Sequence, residues 1–147
     1  MESFLLSIGS NIDPEKNIPA CIELLKKHYP STQFSSIYRT EPLGPAGLAD
    51  FWNLAAQTTA DSSSNLKTVI RQIESDLKRV RDLNNKFAPR TIDIDILPQK
   101  NYQDMAFIIV PLAEIVPDEI DEETGKSYFQ LAAALKKCGQ KIERVTL

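Results

Sequence analysis

No stretch of this chain approaches the roughly 18 consecutive apolar residues that a membrane-spanning helix needs, and Met1 to Ser7 carry no basic region ahead of their apolar residues, so neither a membrane anchor nor a signal peptide is expected. Cysteine is scarce. Cys21 and Cys138 stand far apart in helical patterns and suit buried free thiols better than a disulfide or a metal site. Only one histidine is present, His28, near the exposed end of a helical stretch, and no Ser–His pair accompanies it, so triad-type hydrolysis has no support. Excess positive charge is also lacking: the net charge is −3, which argues against a general nucleic-acid binder. Gly9-Ser10-Asn11 fits neither G-x-G-x-x-G nor the P-loop pattern and is rejected as a phosphate loop. Repeats and low-complexity tracts are absent. A monomeric, cytoplasmic protein acting on small molecules, without membrane or nucleic-acid partners, is the expectation.

What is present suits one globular domain over 1–147: the chain is 42% hydrophobic and 25% charged, and long enough to bury a core. An apolar run at 3–8 reads as a strand that turns at Gly9-Ser10-Asn11. Asp13 as N-cap and Pro14 in the first turn open a helix with the stripe Ile18, Cys21, Ile22, Leu25 and Tyr29, ended by Pro30. A second strand covers 32–39. A Pro- and Gly-containing loop at 40–50 is long enough to be functional. A third strand runs from Phe51 to Ala60, and Ser62-Ser63-Ser64 cap a second helix with the stripe Leu66, Val69, Ile70, Ile73, Leu77 and Val80. After a polar loop at 82–89 comes an Asp-bearing strand, placed centrally by its isoleucines. Residues 96–106 read as irregular or a short hairpin, Phe107–Val110 as a short apolar segment counted as a strand, Pro111–Ile115 as a helical turn, 127–137 as a helix and Lys141–Leu147 as a last strand. The order β-α-β-β-α-β-β-α-β predicts an α+β layered domain on the ferredoxin-like plan, a mostly antiparallel sheet flanked by helices.

The Asp-bearing strand is Pro89-Arg90-Thr91-Ile92-Asp93-Ile94-Asp95-Ile96-Leu97. Alternation sends Ile92, Ile94 and Ile96 to one face and Asp93 and Asp95 to the other, their Cβ atoms about 7 Å apart. Paired carboxylates are oxygen ligands of the kind Mg²⁺ takes together with substrate phosphates, and Arg90 adds a fixed cation suited to phosphate. An amphipathic strand with a solvated acidic face is the alternative. On the second helix Lys67, Arg71, Glu74, Lys78 and Arg81 form one polar stripe. Arg79, Arg81, Lys86 and Arg90 then gather beside the acidic strand, as a polyphosphate site requires, although a solvated face with Glu–Lys pairs explains the upper part equally. Phe51, Asn53 and Phe107 suit a planar heterocycle, or else a core with a satisfied amide.

Four blocks in order resemble the hydroxymethyldihydropterin pyrophosphokinase family. They are Ile8-Gly9-Ser10-Asn11-Ile12; Ser36 to Pro45 with Phe51-Trp52-Asn53; Pro89 to Leu97; and Pro111-Leu112-Ala113-Glu114-Ile115-Val116-Pro117. The resemblance implies transfer of pyrophosphate from ATP to 6-hydroxymethyl-7,8-dihydropterin with release of AMP and two Mg²⁺ ions. By position, Asp93 and Asp95 would hold both metals, and Thr40, Leu43 and Asn53 would line the pterin edge between Phe51 and Phe107. Arg79, Arg81 and Arg90 would meet the triphosphate, with Arg81 and Arg90 catalytic beside the two aspartates, and Arg71 and Glu74 would lie near the nucleotide. The loops at about 44–50 and 82–89 match segments that close over substrates and exclude water. Family members usually carry a longer segment after the second Asp, with a His-Pro pair and an Arg that help bind ATP. Residues 96–106 here contain neither His nor Arg, and Lys100 and Tyr102 are the evident substitutes. Weaker ATP binding is implied, with a non-catalytic pterin-binding relative as the alternative. An interaction module with a coincidental acidic strand would need all four blocks to be accidents.

Overall fold

A computed structural model describes residues 1–40, 50–78, 91–137 and 142–145. Leu43, Arg79, Val80, Arg81, Lys86, Arg90 and Cys138, together with most of the two long loops, lie outside the described residues. The elements are β1 (Glu2–Ser10), α1 (Pro14–His28), β2 (Gln33–Phe34), β3 (Ile37–Thr40), β4 (Phe51–Ala60), α2 (Ser63–Asp76), β5 (Asp93–Ile96), a 3₁₀ turn (Tyr102–Asp104), α3 (Ala106–Ile115), α4 (Tyr128–Lys137) and β6 (Ile142–Val145).

The strands form one sheet in the order β5-β1-β4-β3-β6, with β2 also pairing β4. Every pairing is antiparallel. Within it, β1-α1-β3-β4-α2-β5 places β4 between β1 and β3, the split βαβ arrangement of the ferredoxin-like plan. α1 and α2 bury their apolar stripes, Ile18, Cys21 and Leu25 from one and Leu66, Ile70 and Ile73 from the other, against Leu6, Ile8, Leu54 and Ile94. α3 and α4 cover part of the opposite face, where Ile109, Leu112 and Leu131 cluster with Tyr38 and Ala55. Among the described residues no helix is long and apolar enough to cross a membrane. The Cys21 thiol is free and fully buried, and burial, aided by the negative charge of Glu74, pushes its pKa up to about 12, so it stays a protonated core residue.

Local chemistry explains where the elements differ from the sequence expectation. Ser62 caps α2 as predicted, its Oγ accepting the Asn65 N–H at 3.1 Å. Asp13 does not cap α1 with its side chain. It is left-handed, at φ 41°, and its carbonyl accepts from the N–H groups of Lys16 and Asn17. α2 stops at Asp76 because Lys78 turns left-handed at φ 60°, so the polar stripe does not continue through Lys78 on the helix. The strand expected over 32–39 is divided at Ser35, whose Oγ accepts the Ala55 N–H at 2.8 Å in place of regular pairing. Gly9 and Ser10 belong to β1 and not to a turn. Phe107–Val110 is not a strand. It joins 111–115 in the single helix α3, buried on most sides, and an apolar run covered all round has no periodicity to separate helix from strand. Finally, β5 is an edge strand and not a central one. Its isoleucines face the core formed with α1 and α2, and depth below the helices rather than a second neighbouring strand accounts for them.

Candidate active site

Residues directly opposite in antiparallel strands share a face. The register therefore sets two rows across the sheet: Asp95 beside Ser7 and Ala55, and Asp93 beside Gly9, Asn53 and Tyr38. Thr40 pairs with Phe51 one step further on. β1 thus separates the carboxylates of β5 from the amide of β4, and two strand spacings set about 10 Å between the backbones of Asp93 and Asn53. Asp93 and Asp95 remain partly exposed, and so does Phe51.

Asn53 is 3% exposed and Thr40 7%. The Asn53 Nδ2 donates to Thr40 Oγ1 at 2.8 Å. Its Oδ1 lies over Gly9. Phe107 is in the first turn of α3, partly exposed and packed on the second core. Among the described residues no ring contact joins it to Phe51.

Two residues predicted for the nucleotide differ in their surroundings. Arg71 is exposed on α2, in keeping with the polar stripe. Glu74 leaves that stripe: it is 5% exposed, and its Oε2 accepts the Ile94 N–H at 3.2 Å. The bond from Leu97 N–H to the Leu5 carbonyl sets the register in which the odd-numbered residues of β5 bond to β1 and the N–H of Ile94 points outward. Glu74 therefore braces the outer edge of the strand that carries both aspartates.

Tyr102 is a correction. As a substitute for the missing ATP contacts it needs a free hydroxyl, but it is 2% exposed and donates to Asp121 Oδ1 at 2.6 Å. Its oxygen also lies 3.0 Å from that of Tyr128. Asp121 Oδ2 accepts the Thr124 N–H and hydroxyl at 3.0 and 2.6 Å. Burial alone would raise the Asp121 pKa, and these donors hold it below the ordinary carboxylate value. Lys100 alone of the pair is exposed.

Sequence reasoning missed the purpose of the Pro-Leu-Ala-Glu-Ile block. Glu114 fastens α3 to β3: Oε2 accepts the Ser36 N–H at 2.7 Å, and Oε1 accepts the Tyr38 hydroxyl at 2.6 Å and Arg144 at 3.4 Å. Burial opposes its charge, but these donors keep its pKa below 4.5. Gly9 was missed as well. Its signal was available, since a glycine inside a strand marks a close approach.

The donor chemistry fits Mg²⁺. Asp93 and Asp95 put two carboxylates on β5, and Mg²⁺ characteristically binds one or two carboxylates with substrate phosphates.

The model of the 7,8-dihydro-6-hydroxymethylpterin-pyrophosphokinase family matches residues 5–117. The chain belongs to this family. It is similar to proteins named 2-amino-4-hydroxy-6-hydroxymethyldihydropteridine pyrophosphokinase from three bacteria. With the Pseudomonas aeruginosa protein it is 33% identical, over 77% of this chain and 80% of that one. The Bacillus subtilis protein is also 33% identical, over 82% and 81%. The Methylorubrum extorquens protein is 34% identical, over 95% and 96%. Pyrophosphokinase activity in folate biosynthesis, with ATP as co-substrate, is the role of this family.

Proposed function

We propose that the protein catalyses Mg²⁺-dependent pyrophosphoryl transfer from ATP to 6-hydroxymethyl-7,8-dihydropterin. The hydroxymethyl oxygen bonds to the β-phosphorus, its proton is released, and the bond from that phosphorus to the α-phosphate bridging oxygen breaks, so AMP leaves. The observation that carries the reading is a shared sheet face: the paired carboxylates of β5 and the Thr40-tied amide of Asn53 flank β1 on the same side.

The amide offers a donor and an acceptor to the edge of a pterin, and Thr40 holds its nitrogen end. Phe51 and Phe107 supply the ring contacts, with Leu43 completing the pocket. Asp93 and Asp95 would hold two Mg²⁺ ions, which supply charge neutralisation and orientation of phosphate when bound. Arg79, Arg81 and Arg90 would provide fixed positive charge for the triphosphate, with Arg81 and Arg90 in the catalytic role, and Arg71 would lie near the nucleotide. Glu74 secures β5 from its outer edge. Catalysis of this type rests on positioning and electrostatics, so the single, exposed His28 is no obstacle.

The observation favouring a second reading, a pterin binder without productive ATP use, is the buried and hydrogen-bonded Tyr102, which leaves Lys100 as the exposed substitute in 96–106. AMP release from Mg-ATP, measured with and without the pterin at high ATP, separates the two. Pterin-dependent AMP is the expected result. Pterin binding by calorimetry with no AMP formed would establish the binder and overturn the enzyme.

A further inference from the structure

Gly9 lies on β1 between Asn53 of β4 and Asp93 of β5. A Cβ built on it would stand 2.8 Å from Asn53 Oδ1, closer than real side-chain contacts allow, and 3.6 Å from Phe51 Cδ1, an ordinary contact. The nearest obstacle is thus the far end of one side chain, that of Asn53. The carboxamide has its nitrogen end pulled to Thr40 and its oxygen end laid across the bare backbone of Gly9. Asn53 is 3% exposed, yet no described residue donates a hydrogen bond to Oδ1. A buried amide bonded at its nitrogen end still has an acceptor to offer a ligand N–H.

From this we infer that Gly9 is a positioning residue for the heterocyclic substrate. It touches neither reacting group. By lacking a side chain, it lets the Asn53 amide lie across β1 with its acceptor turned toward the carboxylate side of the sheet. The inference rests on the pterin reading of this face. A methyl group on Gly9 would push Oδ1 aside by rotation of the Asn53 side chain, without displacing backbone, so the fold survives while the acceptor moves out of register with the substrate.

The test is Gly9→Ala, alone and combined with Asn53→Ala, by calorimetric titration with 6-hydroxymethylpterin and separately with a non-hydrolysable ATP analogue, alongside thermal unfolding. Loss of one well-placed amide hydrogen bond corresponds to about a tenfold rise in pterin Kd. The expected pattern is that rise in Gly9→Ala, an unchanged analogue Kd, and no further effect of Gly9→Ala in the Asn53→Ala background. Unchanged pterin affinity in Gly9→Ala would overturn the inference. So would an equal loss in the Asn53→Ala background, since the methyl group would then be blocking the pocket itself. A parallel fall in pterin affinity, analogue affinity and melting temperature would reduce Gly9 to a folding role and overturn it too. If the wild-type protein does not bind pterin, the functional reading fails first, a result distinct from each of these.

Discussion

The face of the sheet opposite α1 and α2 has two halves, and they differ in the polar groups they carry. Under α3 and α4, polar side chains answer one another. Glu114 collects Ser36, Tyr38 and Arg144, while Asp121 collects Tyr102 and Thr124. In the other half, Asp93, Asp95 and Asn53 line a common surface, and among the described residues the Asn53 amide bonds through its nitrogen end to Thr40. A buried polar group without a partner costs about 1–3 kcal/mol, so the closed half is arranged for stability. The open half carries the groups proposed to meet the substrates. The same residue types therefore carry different meanings at positions a few residues apart.

The largest expected effect comes from breaking the open half. Asp93→Asn and Asp95→Asn are each expected to lower turnover by about 100-fold or more, because metal-held charge neutralisation acts chiefly in the transition state. Pterin affinity should stay within about threefold and thermal stability nearly constant. Steady-state AMP formation with pterin titration checks this. Near-normal turnover in either variant would remove the carboxylates from the chemistry.

Breaking the closed half should do the reverse. Asp121→Ala removes the charged acceptor of the Tyr102 hydroxyl, which keeps Tyr128, and of the Thr124 N–H and hydroxyl. The expected loss is about 3 kcal/mol, on the order of 10 °C in melting temperature. Pterin Kd should not change at temperatures where the variant is folded. A stable variant with weakened ATP binding would mean that this network belongs to the nucleotide site.

How the two halves divide was only partly legible in the sequence. Strand and helix periodicity located nearly every element, and β4 over Phe51–Ala60 agreed in full. The Asp93/Asp95 alternation was equally plain, since period-2 patterns survive without knowledge of neighbours. Contacts between distant segments were not legible. Glu114 bonds to Ser36 across 78 positions, and Glu74 reads as one more member of a polar helix face until β5 is seen to press an outward N–H against it. Tyr102 looked like a substitute ligand because a sequence shows a hydroxyl but not its partner. β5 looked central because apolar richness reports depth, and depth came here from α1 and α2 and not from a second flanking strand. Lone residues whose meaning depends on tertiary pairing were the ones misread.

The smallest effect separates the halves by pH. Glu114 and Asp121 have folded pKa values below their ordinary 4.5 and 3.8, despite burial, because donors surround the charged forms. A lowered carboxylate pKa contributes stability that is complete above the unfolded value and disappears as pH falls through the folded one. Stability should therefore decline from about pH 4.5 downward as Glu114 and Asp121 take up protons. Glu114→Gln removes one of these titrations. It should be less stable than wild type at pH 7, by about 1 kcal/mol, and the gap should narrow as wild-type Glu114 is neutralised below pH 4.5. Urea unfolding at pH 7 and at about pH 3 measures that gap, and a gap equal at both would show that the charge on Glu114 contributes nothing to fastening α3 onto β3. Pterin affinity at pH 7 should be the same in both proteins, because Glu114 spends its acceptors on Ser36, Tyr38 and Arg144 in the closed half.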